Sequence, residues 1–133
     1  MEYKSIAAAL GAVSSYLFGG WSTALQTLFV FILIDYMTGI LAAGKGGELS
    51  SKAGLKGIGR KAMIFVFVAM GHMADMQTSG GQLHLFRDGI IAFFIANEGL
   101  SVIENAGRMG VPVPEVVRKA VEALRNSKGG SSK

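Results

Sequence analysis

Residues 23–43, TALQTLFVFILIDYMTGILAA, decide how the rest of the chain is read. Twenty-one residues run with a single charged side chain, Asp35. As a helix they reach about 31 Å, enough for the ~30 Å hydrocarbon core of a bilayer. Trp21 stands just before them, where an interfacial aromatic belongs. Asp35 is costly inside such a segment, so it calls for a protein or water neighbour. With Thr38, Gly39 and Ala42 it forms a small, polar stripe on one helix face.

The composition around this segment agrees with it. The chain has 133 residues, half of them hydrophobic, 17% charged, with a mean hydropathy of +0.43. A soluble chain of this length cannot hide so many apolar residues. The apolar residues are also blocked into segments at about 5–19, 62–76 and 88–107. This predicts an all-α integral membrane protein with three or four short transmembrane helices over residues 1–110. Residues 111–133 form a second region, a C-terminal amphipathic helix and a basic, disordered tail.

Segment 5–19 carries small residues at every fourth position, Ala7, Gly11, Ser15 and Gly19. Such a row allows close helix contact in lipid. A cleaved signal peptide, with Lys4 as its charged start and residues 22–24 as the cleavage site, is the other reading. Residues 44–59 read as a glycine- and lysine-rich loop. Ser50 or Ser51 could cap a short surface helix there, with Leu55 and Ile58 dipping inward. Segment 88–107 is apolar in its first half. In its second half Asn97, Ser101, Glu104, Asn105 and Arg108 recur on one face, beside Glu98. After Pro112 and Pro114 a helix over 115–126 carries the stripe Val113, Val116, Val117, Ala120, Val121 and Leu124. Glu115–Lys119 and Arg118–Glu122 are its expected ion pairs.

Eleven of the thirteen basic residues lie in two stretches, Lys45 to Lys61 and Arg108 to Lys133. Two apolar segments separate them, so both stretches share a side. The positive-inside rule makes that side the cytoplasm, with the C-terminus on it. This distribution argues for a membrane and against nucleic acid as the partner of the net +4 charge.

The sequence offers little for catalysis or cofactor binding. It lacks cysteine, and Gly44-Lys-Gly-Gly47 lacks the Gly-Lys-Ser/Thr ending of a phosphate-binding loop. His72 and Asp75 share a helix face. The other histidine, His84, lies in a loop, and a helix-end polar cluster accounts for the pair better than a metal. No catalytic, cofactor-binding or metal residue is assigned. The candidate pore or helix-packing residues are Asp35, Thr38, Gly39, Asn97, Glu98, Ser101 and Glu104, with Ala7, Gly11, Ser15 and Gly19.

Three stretches, residues 33–43 (LIDYMTGILAA), 49–62 (LSSKAGLKGIGRKA) and 94–124 (FIANEGLSVIENAGRMGVPVPEVVRKAVEAL), resemble the toxin secretion/phage lysis holin family. The patterns Asp-Tyr-x-Thr-Gly at 35–39 and Asn-Glu-Gly-Leu-Ser at 97–101 carry the resemblance together. It implies a non-enzymatic protein of the bacterial cytoplasmic membrane that homo-oligomerises in lipid and opens lesions. An endolysin, or in some clostridia a toxin, then escapes. A small oligomeric ion channel or transporter using Asp35 and Glu98, and a membrane anchor for a soluble partner, are the competing readings.

Overall fold

Helix boundaries follow from local chemistry. The computed structural model describes residues 2–129, without the side chains of 121, 124, 125 and 127–129. It consists of five helices: α1 (Glu2–Phe18), α2 (Thr23–Lys45), α3 (Ser51–Ser79), α4 (Leu85–Arg108) and α5 (Glu115–Gly129). No strand occurs among the described residues. Gly19 and Gly20, both at positive φ (73° and 107°), turn the chain from α1 into α2. Ser22 then caps α2, its hydroxyl accepting from the Leu25 amide at 3.1 Å. Ser50 caps α3 in the same way through the Ala53 amide. Gly80, at φ 64°, closes α3 in the left-handed conformation.

α3 departs from the expected loop and short span. Residues 51–79 form one helix of 29 residues, and the expected surface helix and the segment 62–76 are parts of it. The Tyr36 side chain of α2 lies over Gly54 and Gly57 in the α3 interior, tightly at Gly54 alone. A Cβ at Gly57 would stand 3.5 Å from the Tyr36 ring, and the Tyr36 hydroxyl donates to the Gly54 carbonyl at 3.3 Å.

α2, α3 and α4 pack around Leu25, Leu28, Ile32, Ile64, Val68 and Ile91. α3 and α4 approach closely at Gly71, where a Cβ would lie 3.0 Å from the Arg87 backbone. α1 buries none of its residues; its last residue, Phe18, meets Phe65 of α3 at 6.1 Å between ring centroids. The outside of the bundle is apolar, with Phe29, Leu33 and Met37 of α2 and Met63, Phe67 and Met70 of α3 exposed. Of the described helices, α2 alone is long and apolar enough to cross a membrane by composition. α3 and α4 take in charged residues at the ends of their apolar stretches.

α5 follows Pro114 and runs to Gly129, beyond the expected end at Asn126. Residues 127–129 of the expected disordered tail are therefore helical, and 130–133 lie outside the described residues. Val121 and Leu124 of its stripe lie outside the described side chains. Arg118 makes its close ion pair with Glu115, at 2.6 Å and three residues away, and the expected partner Glu122 adds a smaller charge attraction. The Glu115 carboxylate holds the exposed Arg118 guanidinium above its usual range.

Candidate functional site

Ionisable groups inside apolar helices must find partners or water. In this bundle they find one another. Asp35 of α2, Lys61 of α3 and Glu98 of α4 each lie ten residues from the end of the helix marked by Lys45, Ser51 and Arg108 respectively. Those three ends sit together: Lys45 donates to the Met109 carbonyl just past α4 at 2.7 Å. The three charges therefore meet at one level, about 15 Å from that end.

Lys61 Nζ donates to Asp35 Oδ2 at 2.5 Å and to Glu98 Oε2 at 2.9 Å. The side chains of Asp35 and Glu98 are 10% and 4% exposed, that of Lys61 20%. Asn105, two helical turns from Glu98 toward the same end, completes the set. Its Nδ2 donates to Asp35 Oδ1 at 2.9 Å, to the Asp35 carbonyl at 3.1 Å and to Thr38 Oγ1 at 3.0 Å. Thr38 in turn donates to the Ile34 carbonyl at 2.8 Å. Asp35 is thus held from two helices, and one ammonium is shared by two carboxylates. Charge-assisted hydrogen bonds of this kind are stronger than neutral ones and fix the rotation of each helix.

A cavity of about 290 Å³, lined by both polar and apolar side chains, leads from this cluster toward the α2–α3 turn. Gly39, Ser101 and Glu104 line it together with Lys61, and Glu48 and Ser50 stand nearer the turn. A Cβ at Gly39 would meet Asn105 Nδ2 at 3.6 Å, an ordinary contact. The structure therefore brings Asp35, Thr38, Gly39, Glu98, Ser101 and Glu104 around one site. Asn97 is half-buried on α4 and is not among the residues lining the cavity.

The small-residue row is elsewhere and is divided. Ala7, Gly11 and Ser15 lie exposed on α1, and a Cβ at Gly11 would touch nothing within 4 Å. Gly19 lies past the end of α1 against His72, whose ring atoms a Cβ there would meet at 2.8–2.9 Å.

His72 and Asp75 belong to a second polar knot near the opposite end of the bundle. Both Asp75 oxygens accept backbone amides at the start of α4, from Phe86 at 2.9 Å and Arg87 at 3.0 Å. Asp75 is therefore a helix cap supplied by a neighbouring helix. Arg87 Nη1 donates to the Phe18 carbonyl at 2.8 Å, tying the end of α1 to α4. An apolar layer separates the two knots: Ile64 and Val68 lie between Lys61 and His72 on α3.

Sequence reasoning missed Lys61 and Arg87. Lys61 follows Arg60 at the start of an apolar stretch and reads as an interfacial flank. The signal that points to it is the charge balance: Asp35 and Glu98 lie in different apolar segments and need a common cation.

The arrangement offers helix registration and a hydratable polar spot inside an apolar exterior. Comparisons with known proteins bear on what such a bundle serves. The model of the bacteriophage holin family matches residues 12–126. An uncharacterized protein of Halalkalibacterium halodurans is 43% identical, covering 98% of this chain and 96% of its own. An uncharacterized 14.9 kDa protein of Clostridium perfringens is 41% identical over 90% of this chain and 89% of its own. A protein of Bacillus phage phi105 named a probable holin is 32% identical over 84% of this chain and 81% of its own. No solved structure matches. The family match takes in α2, α3 and α4 whole, the three helices that build the ion cluster, and the chain belongs to the bacteriophage holin family.

Proposed function

We propose that this protein acts as a holin. It accumulates in the bacterial cytoplasmic membrane, homo-oligomerises and opens lesions through which an endolysin, or a secreted toxin, leaves the cytoplasm. The family is one of membrane proteins and not an enzyme family. The observation that carries the reading is the inverted distribution of polarity. Asp35, Lys61 and Glu98 are enclosed at the centre while large apolar side chains of the same helices face outward. That distribution suits lipid as the surrounding solvent.

On this reading α2, α3 and α4 all cross the membrane, α3 by its part beyond Lys61. Pairing within the cluster offsets the charge of Glu98 on α4, and the α4 amides that Asp75 accepts offset the charge within this part of α3. α1 supplies a fourth crossing or lies at the surface. The α2–α3 turn and the C-terminus face the cytoplasm. The exposed Ala7, Gly11 and Ser15 are the contact row for a second copy, and the cavity is the part that hydrates when copies assemble.

Inducible expression in bacteria, with and without a cytoplasmic muralytic enzyme, tests this. Expression alone should stop growth and depolarise the membrane; with the enzyme the culture should lyse. Growth arrest with graded, ion-selective currents and no lysis would favour the channel reading. Unaffected growth and no lysis would leave the anchor reading.

A further inference from the structure

The outward strip of α3 changes chemistry along its length. Lys52, Lys56 and Arg60 follow at four-residue spacing, and all three are exposed. The neighbouring acids are committed elsewhere, Asp35 and Glu98 to Lys61 and Glu48 to Arg108. The same strip continues through Met63, Phe67 and Met70, which are 49%, 43% and 60% exposed. Lys52 and Met70 are eighteen residues apart, five full turns, so they point the same way. One face of one helix is thus cationic in its first half and apolar in its second.

Phe67 also opens onto an apolar groove between α3 and α4. The groove has a volume of about 270 Å³ and is lined by Phe67, Gly89, Ile90, Phe93 and Phe94. Phe67 and Phe94 stack at 5.9 Å, and Phe93 stands edge-on to Phe94 at 5.1 Å. Gly89 leaves its side of the groove open, since a Cβ there would meet nothing within 4 Å. The groove begins about 10 Å along the axis from Arg60. A phosphate beside Lys56 and Arg60 would therefore place its acyl chains over Met63 and into the groove.

We infer that this strip binds an anionic phospholipid of the leaflet on the side of the α2–α3 turn. Lys56 and Arg60 hold the phosphate, Lys52 stands at the rim, and one acyl chain occupies the Phe67–Phe94 groove. An acidic peptide would match the cations but not the apolar half of the strip. A second copy pressing an apolar face here would leave the three cations without acceptors. The site rests on the membrane-embedded reading above.

Native mass spectrometry of the full chain, released from detergent with equal dioleoyl phosphatidylglycerol and dioleoyl phosphatidylcholine, tests it. The wild type should retain phosphatidylglycerol over phosphatidylcholine by about tenfold or more. A surface cation is worth about fivefold in anionic-lipid binding, so Lys56→Gln/Arg60→Gln should bring the two lipids near parity. Gly89→Phe fills the groove and should lower retention of both lipids. Arg118→Gln/Lys119→Gln, on α5, should keep the preference. Parity in the wild type, or a preference lost only with the α5 variant, overturns the site. So does Gly89→Phe that breaks a dimer and leaves lipid retention unchanged, since the strip is then a self-interface. Alkaline carbonate extraction separates the two levels. A chain that washes off membranes refutes the membrane-embedded reading, and one that stays but holds both lipids equally refutes this site alone.

Discussion

Lys61 joins the bundle's central acids, because among the described residues it alone pairs with both Asp35 and Glu98. Removing one partner of a buried ion pair is costlier than removing all of them together. Lys61→Met should therefore destabilise by about 3–5 kcal/mol, read as poor accumulation and a lower melting temperature in detergent. Lys61→Met/Asp35→Asn/Glu98→Gln should recover much of that loss. Equal melting of the single and triple variants would show that the cluster contributes no net pairing. Asp35 can be tested more finely. Asp35→Asn keeps a side-chain acceptor for Asn105, whereas Asp35→Leu removes it and leaves Asn105 only the residue-35 carbonyl and Thr38. If hydrogen bonding suffices for assembly, Asn preserves and Leu delays membrane depolarisation after matched expression. If charge hydrates the lesion, both delay it. Wild-type timing in both would reduce Asp35 to a tolerated carboxylate. The two acids were legible in the sequence, because an ionisable group inside an apolar run stands out wherever it points. Lys61 was not, since a cation at a segment's edge has the same sequence context whether it snorkels outward or turns inward.

At the scale of the helix, α3 shows how composition misleads. Glycine costs about 1 kcal/mol in a helix interior, and Gly54, Gly57 and Gly59 within six residues read as loop. Tertiary contact offsets that at Gly54, where a Cβ would stand 3.3 Å from the Tyr36 hydroxyl, while at Gly57 it would make only an ordinary contact with the ring. Gly71 is required for a different reason. An alanine Cβ there would stand 2.8 Å from Ile90 Cδ1 and 3.0 Å from the Arg87 Cα and amide nitrogen. Side chains can yield but the α4 backbone cannot, so overpacking should outweigh alanine's better helix propensity. Gly71→Ala is expected to cost about 1–3 kcal/mol, visible as a lower melting temperature. Gly11 on α1 gives the opposite expectation. Gly11→Leu meets open space in the single chain and, with leucine's better helix propensity, should not lower its melting temperature. If the α1 row joins copies, the same variant should shorten the ladder of crosslinked oligomers in membranes. An unchanged ladder would remove the row as an interface.

Across the whole molecule, charge is distributed unevenly. Residues 108–133 hold six basic and two acidic side chains, and residues 1–107 hold seven of each, so the net +4 belongs to the C-terminal end. Together with the cations of the α2–α3 turn and the start of α3, this is the basis of the proposed orientation by the positive-inside rule. Because the chain has no cysteine, single cysteines can report sidedness without background. Gly47→Cys and Ser131→Cys should both resist an impermeant thiol reagent in intact spheroplasts and react once the membrane is opened. Early labelling of either would overturn the orientation.

Some of this follows from the sequence alone. Apolar blocks near helical length, one clear span at 23–43, the serine cap before α3 and the two basic stretches are local quantities, each summed over neighbours on one helix. Helical class and the demand for a partner at Asp35 and Glu98 follow from them. The identity of that partner does not. Whether Lys61 meets two acids, whether Asp75 caps the next helix and whether Gly19 lies against His72 depend on the rotation and depth of each helix against the others. Those are set by close packing at contacts such as Gly71 on Arg87 and Tyr36 on Gly54. The tertiary structure alone decides them, because no periodicity within a helix records which of its neighbours comes near enough to touch.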